Sequence, residues 1–308
     1  MRIITDVKNI RLKKNTVVSV GVFDGVHIGH QRIIGYQVRC ARALGLPSVV
    51  ITFDPHPMKI LEPQNAPPIL ISLAHRLRLL EERGIDIVLA LKFTRAFSKL
   101  SPEAFVKKYL VGAFHAKIVL AGPGFFFGRY RDGDTSLLKS LGEKYRFAVK
   151  DIKPILFKGI PVSSTRIRRL IRTGMLEEAS EILGRPVSVL GTVTRGCALG
   201  RTLGYPTANV NPHHEIIPPA GVYAVKVKYK GKRYGGVLNI GVRPTFLAGK
   251  DNDQAVEVHI FDFKGKIYGE DLEIDFVQKL REERRFSSRE ALVRQIKKDE
   301  AAARAICA

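Results

Sequence analysis

Along residues 16 to about 152 the apolar positions alternate between two spacings. Short runs of β-branched and aromatic residues at 16–23, 48–53, 85–91, 116–121 and 147–152 predict buried strands. Between them apolar residues recur at helical spacing, as Ile33, Ile34, Val38, Ala41 and Leu44 do, and predict helices over 30–44, 73–83, 102–111 and 135–145. Strands alternating with helices imply a parallel sheet covered on both faces, with ligands beyond the carboxyl ends of its strands. Residues 163–183 read as two short helices ending at Gly184-Arg185-Pro186. The period then changes. From Val187 strands dominate, over 187–195, 221–229, 233–240, 255–261 and 271–277, and Tyr223, Val225, Val227 and Tyr229 mark a period of two. Lys230-Gly231-Lys232 and Lys264-Gly265-Lys266 supply turns. This is an all-β pattern of the kind that closes into a small barrel, finished by a helix over about 287–304 with Ser287 or Ser288 at its cap. The expected fold class is therefore α/β plus all-β, with a boundary near residues 184–187 and domains 1–185 and 186–308.

Composition narrows the class without choosing a function. The 308 residues suffice for two domains, and 45% hydrophobic with 26% charged residues is a soluble globular balance. No apolar run approaches the ~20 residues of a membrane span, and Met1 to Asp6 lack the apolar core of a secretion signal. Three scattered cysteines, Cys40, Cys197 and Cys307, point to a reducing cytoplasm. A net charge of +22 attracts anions: nucleotides, phosphorylated cofactors or nucleic acid.

Motifs discriminate among these. Gly21-Val22-Phe23-Asp24-Gly25-Val26-His27-Ile28-Gly29-His30 reads as a strand end, a tight glycine turn and a helix start. A helix N-terminus presents free N–H groups and a positive dipole to phosphate. The imidazoles of His27 and His30 can donate to phosphate oxygens as charge grows in a transition state, and the small Gly29 is expected to let a nucleotide approach the backbone. Two surface histidines or a zinc site are the competing uses of this pair, although no cysteine lies nearby and no HExxH pattern is present. Asp54-Pro55-His56-Pro57 follows the second strand and is expected either to share that cleft or to form a stiff loop. Ser163-Ser164-Thr165-Arg166-Ile167-Arg168 opens a helix. One serine could merely cap it, but three hydroxyls and two arginines suit a triphosphate and its departing pyrophosphate. Together these two segments resemble a nucleotidylyltransferase, with Gly21, Phe23, Asp24, Gly29, Ser163, Ser164, Thr165 and Arg168 as ATP-side residues. Gly122-Pro123-Gly124-Phe125-Phe126-Phe127-Gly128 has the spacing GxGxxxG and is a weak dinucleotide signal. Farther on, Gly196, Gly200, Arg201 and Gly204 precede Pro206-Thr207-Ala208-Asn209, a glycine-rich loop running into what reads as a rigid turn. Such glycines let main-chain N–H groups approach phosphate. Thr207 and Asn209 offer neutral oxygens for a magnesium ion beside a nucleotide.

Taken together, GVFDGVHIGH, TFDPHP, SSTRIRRLI, the Leu183 to Pro186 junction, GRTLGYPTAN, GVYAV, Val256-Glu257-Val258-His259-Ile260 and Leu280 to Phe286 cover nearly the whole chain. They resemble the bacterial bifunctional riboflavin kinase/FMN adenylyltransferases, also called FAD synthetases. The resemblance implies a Rossmann-like nucleotidylyltransferase domain followed by an antiparallel β-barrel riboflavin kinase with a terminal helix. It also implies two ATP-dependent reactions, riboflavin to FMN and FMN to FAD plus pyrophosphate, with Mg2+. Glu257 matches the family's kinase base, and Arg281 matches a position on the flavin side. Gly124 and Phe125 fall on the family's flavin-side loop of the adenylyltransferase, where the family carries Asp or Asn in place of Gly124. That departure leaves open a riboflavin kinase with weakened or lost adenylyltransferase activity.

A third class, a basic nucleic-acid-binding protein, would call for an aromatic stacking platform; the chain has no Trp, and its Tyr and Phe residues form no evident one. The expected partners are small-molecule substrates, with no membrane and no nucleic acid, and a homo-oligomer is compatible with the sequence.

Overall fold

The computed structural model describes residues 1–8, 10, 12–195, 204–242 and 254–308. The chain forms two compact units, one of residues 1–69 and 73–164, the other of 70–72 and 165–308.

The first unit is built on a six-stranded parallel sheet. Its strands are β1 (Arg2–Ile4), β2 (Thr16–Val20), β3 (Ser48–Asp54), β4 (Ile87–Lys92), β5 (Ala116–Ala121) and β6 (Ala148–Asp151), in the order β1-β4-β3-β2-β5-β6. All five residues of β2 are buried, as expected of a central strand covered on both faces. The strand order reverses between β2 and β5, which hydrogen-bond to each other. At such a switch point the loops leaving adjacent strands part and open a crevice. The loop after β2 carries His27 and leads into the helix that has His30 in its first turn, and the loop after β5 carries Gly124.

Helix α1 (Ile28–Ala43) lays Ile33, Ile34, Val38 and Ala41 on the sheet. Buried Gln37 ties it down: Nε2 donates to the Val17 and Val49 carbonyls at 2.8 and 2.7 Å, while Oε1 accepts from Ser19 Oγ at 2.7 Å. A short helix, α2 (Pro57–Leu61), follows β3, and α3 (Leu73–Glu82) precedes β4. Residues 102–113 are helical, the later part as a π-helix, and α4 (Thr135–Tyr145) precedes β6. The edge strand β1 has no counterpart in the sequence expectation.

The second unit holds α5 (Ser164–Arg172) from Thr165 onward, α6 (Leu176–Leu183) and the barrel. Strands β7 and β8 form a small separate hairpin at Leu156–Phe157 and Ile160–Pro161 in the first unit. The barrel strands are β9 (Ser188–Thr194), β10 (Ala208–Asn211), β11 (Gly221–Tyr229), β12 (Lys232–Val242), β13 (Gln254–Ile260) and β14 (Asp271–Arg281). They close antiparallel in the order β10-β13-β12-β11-β14-β9, with β9 pairing back to β10. Tyr223, Val225, Leu238, Ile240, Val258, Leu272 and Ile274 are fully buried. The terminal helix α7 (Arg289–Cys307) is capped by Ser288, whose Oγ accepts the Ala291 N–H at 3.1 Å. Ala303 of this helix packs with Ala224 and Phe261, which explains why β11 is buried on both faces where its pattern alternates.

The structure departs from the expected turn at residues 206–209. Pro206-Thr207-Ala208-Asn209 is not a turn throughout, because Ala208 and Asn209 belong to β10. Asn209 is held between Thr194 on one side and Glu257 on the other. Pairing on both edges outweighs the weak local preference of Asn for turns.

Candidate active sites

In the first unit the residues picked from the turn after β2 converge. Phe23 and Val26 adopt positive φ of 52° and 40° and Gly25 one of 86°, so the chain reverses tightly between strand and helix. His27 caps α1 with its side chain: Nδ1 accepts the His30 N–H at 3.3 Å. The helix thus begins two residues before the expected 30, because an imidazole does the work of a capping Ser or Asp. The His27 and His30 rings stack at 3.7 Å with 18° between planes, and Phe23 meets His30 edge-on at 5.2 Å. A Cβ on Gly29 would lie 3.1 Å from both Cε1 and Nδ1 of His27. Gly29 therefore makes room for the His27 ring itself. Asp24 is buried, and its carbonyl accepts Ser164 Oγ at 2.8 Å, which brings the serine segment to the turn.

The His30 ring is partly exposed, but its Nδ1 is enclosed and has no hydrogen-bond partner among the described residues. Burial, then His27, then the Arg76 cation hold the imidazole well below the ordinary histidine range, so it is neutral near pH 7. Thr165 and Arg168 fall in the other compact unit. Arg168 is buried on α5, and Arg166 is committed to Glu178, Nη2 to Oε1 at 2.6 Å. His56 caps α2 by accepting the Met58 N–H at 3.2 Å, a structural use of the 54–57 loop.

The 122–128 loop lines a cavity of about 350 Å3 formed by Gly122, Pro123, Gly124, Thr135, Asp151, Ile152, Lys153 and Pro154. Gly124 has φ of 64°, and a Cβ there would meet nothing within 4 Å. The space at this position admits a side chain, and the positive φ is one that Asn and Asp adopt with less strain than other residues. Phe125 stacks on Phe127, with centroids 5.4 Å apart, and packs on the core.

In the barrel, Asn209 on β10, Glu257 on β13 and Asn239 on β12 are register partners, side by side across three strands. Asn209 is buried and Glu257 partly exposed. His259, two residues along the same face, donates a 2.8 Å hydrogen bond from Nδ1 to the Pro206 carbonyl, and its ring meets Tyr205 edge-on at 5.6 Å. This fixes the entry to β10 just before Thr207. A Cβ on Gly241 would lie 2.5 Å from Glu283 Oε1 and 3.3 Å from Asn239 Nδ2, so the 280–286 segment reaches the same edge of the barrel. Arg281 is engaged by Asp299 through Nε and Nη2, at 3.0 and 2.8 Å to Oδ2. Gly204 and Pro206 border β10, whereas Gly196, Gly200 and Arg201 lie outside the described residues.

The sequence reading overlooked His259, Asn239 and Arg76. The alternation in Val256-Glu257-Val258-His259 puts His259 on the Glu257 face, and the spacing of Arg76 with Leu79 and Leu80 puts it on the apolar face of α3. Both signals were present in the sequence.

Comparison with known proteins is consistent across both halves. The family model described as FAD synthetase matches residues 9–166, and that described as riboflavin kinase matches 183–307. A bifunctional riboflavin kinase/FMN adenylyltransferase of Buchnera aphidicola subsp. Schizaphis graminum is 38% identical over 302 residues, covering 97% of this chain and 96% of its own. One from Pseudomonas fluorescens is 40% identical over 309 residues, covering 100% and 98%. A solved structure described as a macrolide-efflux protein from Streptococcus pneumoniae superposes with a TM-score of 0.83 at 34% identity, over 98% of each chain. No helix among the described residues is long and apolar enough to cross a membrane.

Proposed function

Because the chain belongs to the bifunctional riboflavin kinase/FMN adenylyltransferase family, we propose that its barrel phosphorylates riboflavin and its first domain converts the FMN to FAD. The domains we assign to these reactions are 186–308 and 1–185. We infer a cytoplasmic enzyme acting on small molecules.

In the barrel, the Glu257 carboxylate takes the proton of the riboflavin 5′-hydroxyl as that oxygen attacks the γ-phosphorus of ATP, and ADP leaves. The observation that carries this reading is the register pairing of Glu257 with Asn209, which brings a base beside a neutral oxygen donor. Gly196, Gly200, Arg201, Gly204 and Pro206 are the proposed nucleotide loop, and Arg281, oriented by Asp299, the flavin-side cation. Thr207 and Asn209 offer only oxygen donors, which fits a hard cation that keeps most of its ligands as phosphate and water. Mg2+ bound there would supply charge neutralisation of the ATP phosphates.

In the first domain, an FMN phosphate oxygen attacks the α-phosphorus of a second ATP, and pyrophosphate leaves. The stacked His27 and His30 at the N-terminus of a sixteen-residue helix provide donors where this charge builds up. Gly21, Phe23, Asp24 and Gly29 shape the turn, and Ser163, Ser164, Thr165 and Arg168 are the proposed partners of the ATP phosphates. Gly124 and Phe125 belong to the flavin side. The open, side-chain-free position at Gly124 favours a second reading, in which FMN is held less firmly and the kinase is the faster activity. Incubating the protein with riboflavin, ATP and Mg2+ and separating the flavins by chromatography tests both. FMN followed by FAD supports the bifunctional reading, FMN alone supports the second, and unchanged riboflavin refutes both.

A further inference from the structure

We propose that Arg76 is a positioning residue for adenylyl transfer, fastening together the two strand ends from which the His27/His30 turn and the 54–57 loop arise; the proposal rests on the assignment of that reaction to this turn. Arg76 lies on the buried face of α3 with His75, Leu79 and Leu80, and is 1% exposed. Its Nη1 donates to Thr52 Oγ1 at 2.8 Å and to the Phe53 carbonyl at 3.1 Å, both at the end of β3. Thr52 Oγ1 in turn donates to the Val22 carbonyl at 3.0 Å, where the chain leaves β2 for the turn. One guanidinium thus ties α3, the end of β3 and the exit of β2 into a single relay.

A merely structural group would be an odd choice here. Burying an arginine is costly, and a well-packed apolar side chain often serves a core as well or better. Nε of Arg76 is enclosed without a hydrogen-bond partner among the described residues, so the site does not even satisfy the whole fork. Asp24 and Asp54, one from each loop, favour its charged form against the burial that opposes it. The result is a fixed cation beneath a turn that receives an anionic substrate. His27 and Arg76 are the charged or titratable groups that act on His30, and both oppose its protonation. Arg76 therefore does two things: it sets the position of the turn, and it adds to burial and His27 in opposing protonation of the His30 ring.

The test uses the full chain with Arg76→Met, Arg76→Lys and Thr52→Val, and with His30→Ala as reference. Rates are measured for FAD formation from supplied FMN and for riboflavin phosphorylation, and the His30 ring is titrated by NMR. Arg76→Met should slow FAD formation by about 10²-fold, the scale of an ångström of misplacement at a reacting centre. Arg76→Lys should recover all but about tenfold, and Thr52→Val should lose about tenfold by breaking the relay while keeping the cation. Riboflavin phosphorylation should stay within about twofold throughout, the scatter expected of changes that touch no residue of the barrel. The His30 titration should move up in Arg76→Met and stay put in the other two. FAD formation near the wild-type rate in Arg76→Met or Thr52→Val, with His30→Ala inactive, overturns the proposal. So does a slow Arg76→Met whose His30 titration is unmoved and which Lys does not improve. Full FAD formation by His30→Ala would instead refute the assignment of the reaction to this turn, and the role of Arg76 with it.

Discussion

Gly29→Ala should separate stability from catalysis in the first domain. The new Cβ would sit 3.1 Å from Cε1 and Nδ1 of His27, closer than ordinary van der Waals contact, so the ring must give by a few tenths of an ångström. Its Nδ1 already accepts the His30 N–H at a long 3.3 Å. Outward movement stretches that bond towards the limit of a hydrogen bond. Loss of a cap costs about 1 kcal/mol, while Ala in place of a helical Gly returns roughly 0.5–1 kcal/mol. The two terms nearly cancel, and since 1 kcal/mol moves Tm by only about 2–4 °C in a domain of this size, the melting curve should barely shift. Catalysis has no such compensation, because the displaced ring is the proposed phosphate donor and disturbs the stack with His30. We expect FAD formation from FMN to fall about tenfold, the equivalent of ~1.4 kcal/mol in the transition state, with riboflavin phosphorylation unchanged. Chromatographic rates and a melting curve on the same preparation check this. FAD formation within twofold of wild type would refute the idea that Gly29 exists to seat His27.

The remaining expectations concern pH, the 122–128 loop and the barrel. His30 is held well below its ordinary 6.5 in the fold. An unfolded chain therefore binds a proton there that the native state refuses, so stability is full above about pH 6.5 and is lost as pH falls below it, by at most about 1.4 kcal/mol per pH unit. His30→Gln should flatten that part of the pH–stability curve, and an unchanged slope would contradict the lowered titration of the ring. Gly124→Asn should fold normally, because Asn tolerates the positive φ and meets no neighbour. It should lower KM for FMN in FAD formation, and unchanged KM would show that the missing side chain does not limit FMN use. His259→Phe removes the hold on the Pro206 carbonyl. It should raise KM for ATP in the kinase reaction more than it lowers Tm, and the reverse would make His259 a purely structural group.

Much of the architecture was legible because long buried strands and amphipathic helices carry strong periods. β5 and α4 fall on their expected residues, 116–121 and 135–145. The three-residue β1 was not legible, since it is too short to show any period and is recognised only by its pairing with β4. Residues 208 and 209 differ from the expected turn because Pro206 and Asn209 are turn formers locally, while pairing on both edges decides for a strand. At the sites, the His27/His30 turn could be found from local chemistry alone, as strand end, glycine and helix start are contiguous. The spacing of Arg76 with Leu79 and Leu80 places it on the apolar face of α3, but not against its partners Thr52 and Phe53, which lie more than twenty residues away on another strand. Apart from the family resemblance, Glu257 reads as any residue of an alternating strand, and its pairing with Asn209, forty-eight positions earlier, is what gives it a polar neighbour.

The central claim is that two independent sites act in sequence on one flavin. It is tested most directly by assaying Glu257→Gln and His30→Ala in parallel with riboflavin, FMN, ATP and Mg2+. Glu257→Gln should lose FMN formation by about 10²–10⁴-fold, the range for a general base, and still convert supplied FMN to FAD. His30→Ala should do the opposite, accumulating FMN while FAD formation drops by about 10²-fold or more, the scale for an oxyanion-type donor. Folded variants in which both activities fall together, or in which neither falls, would contradict the account.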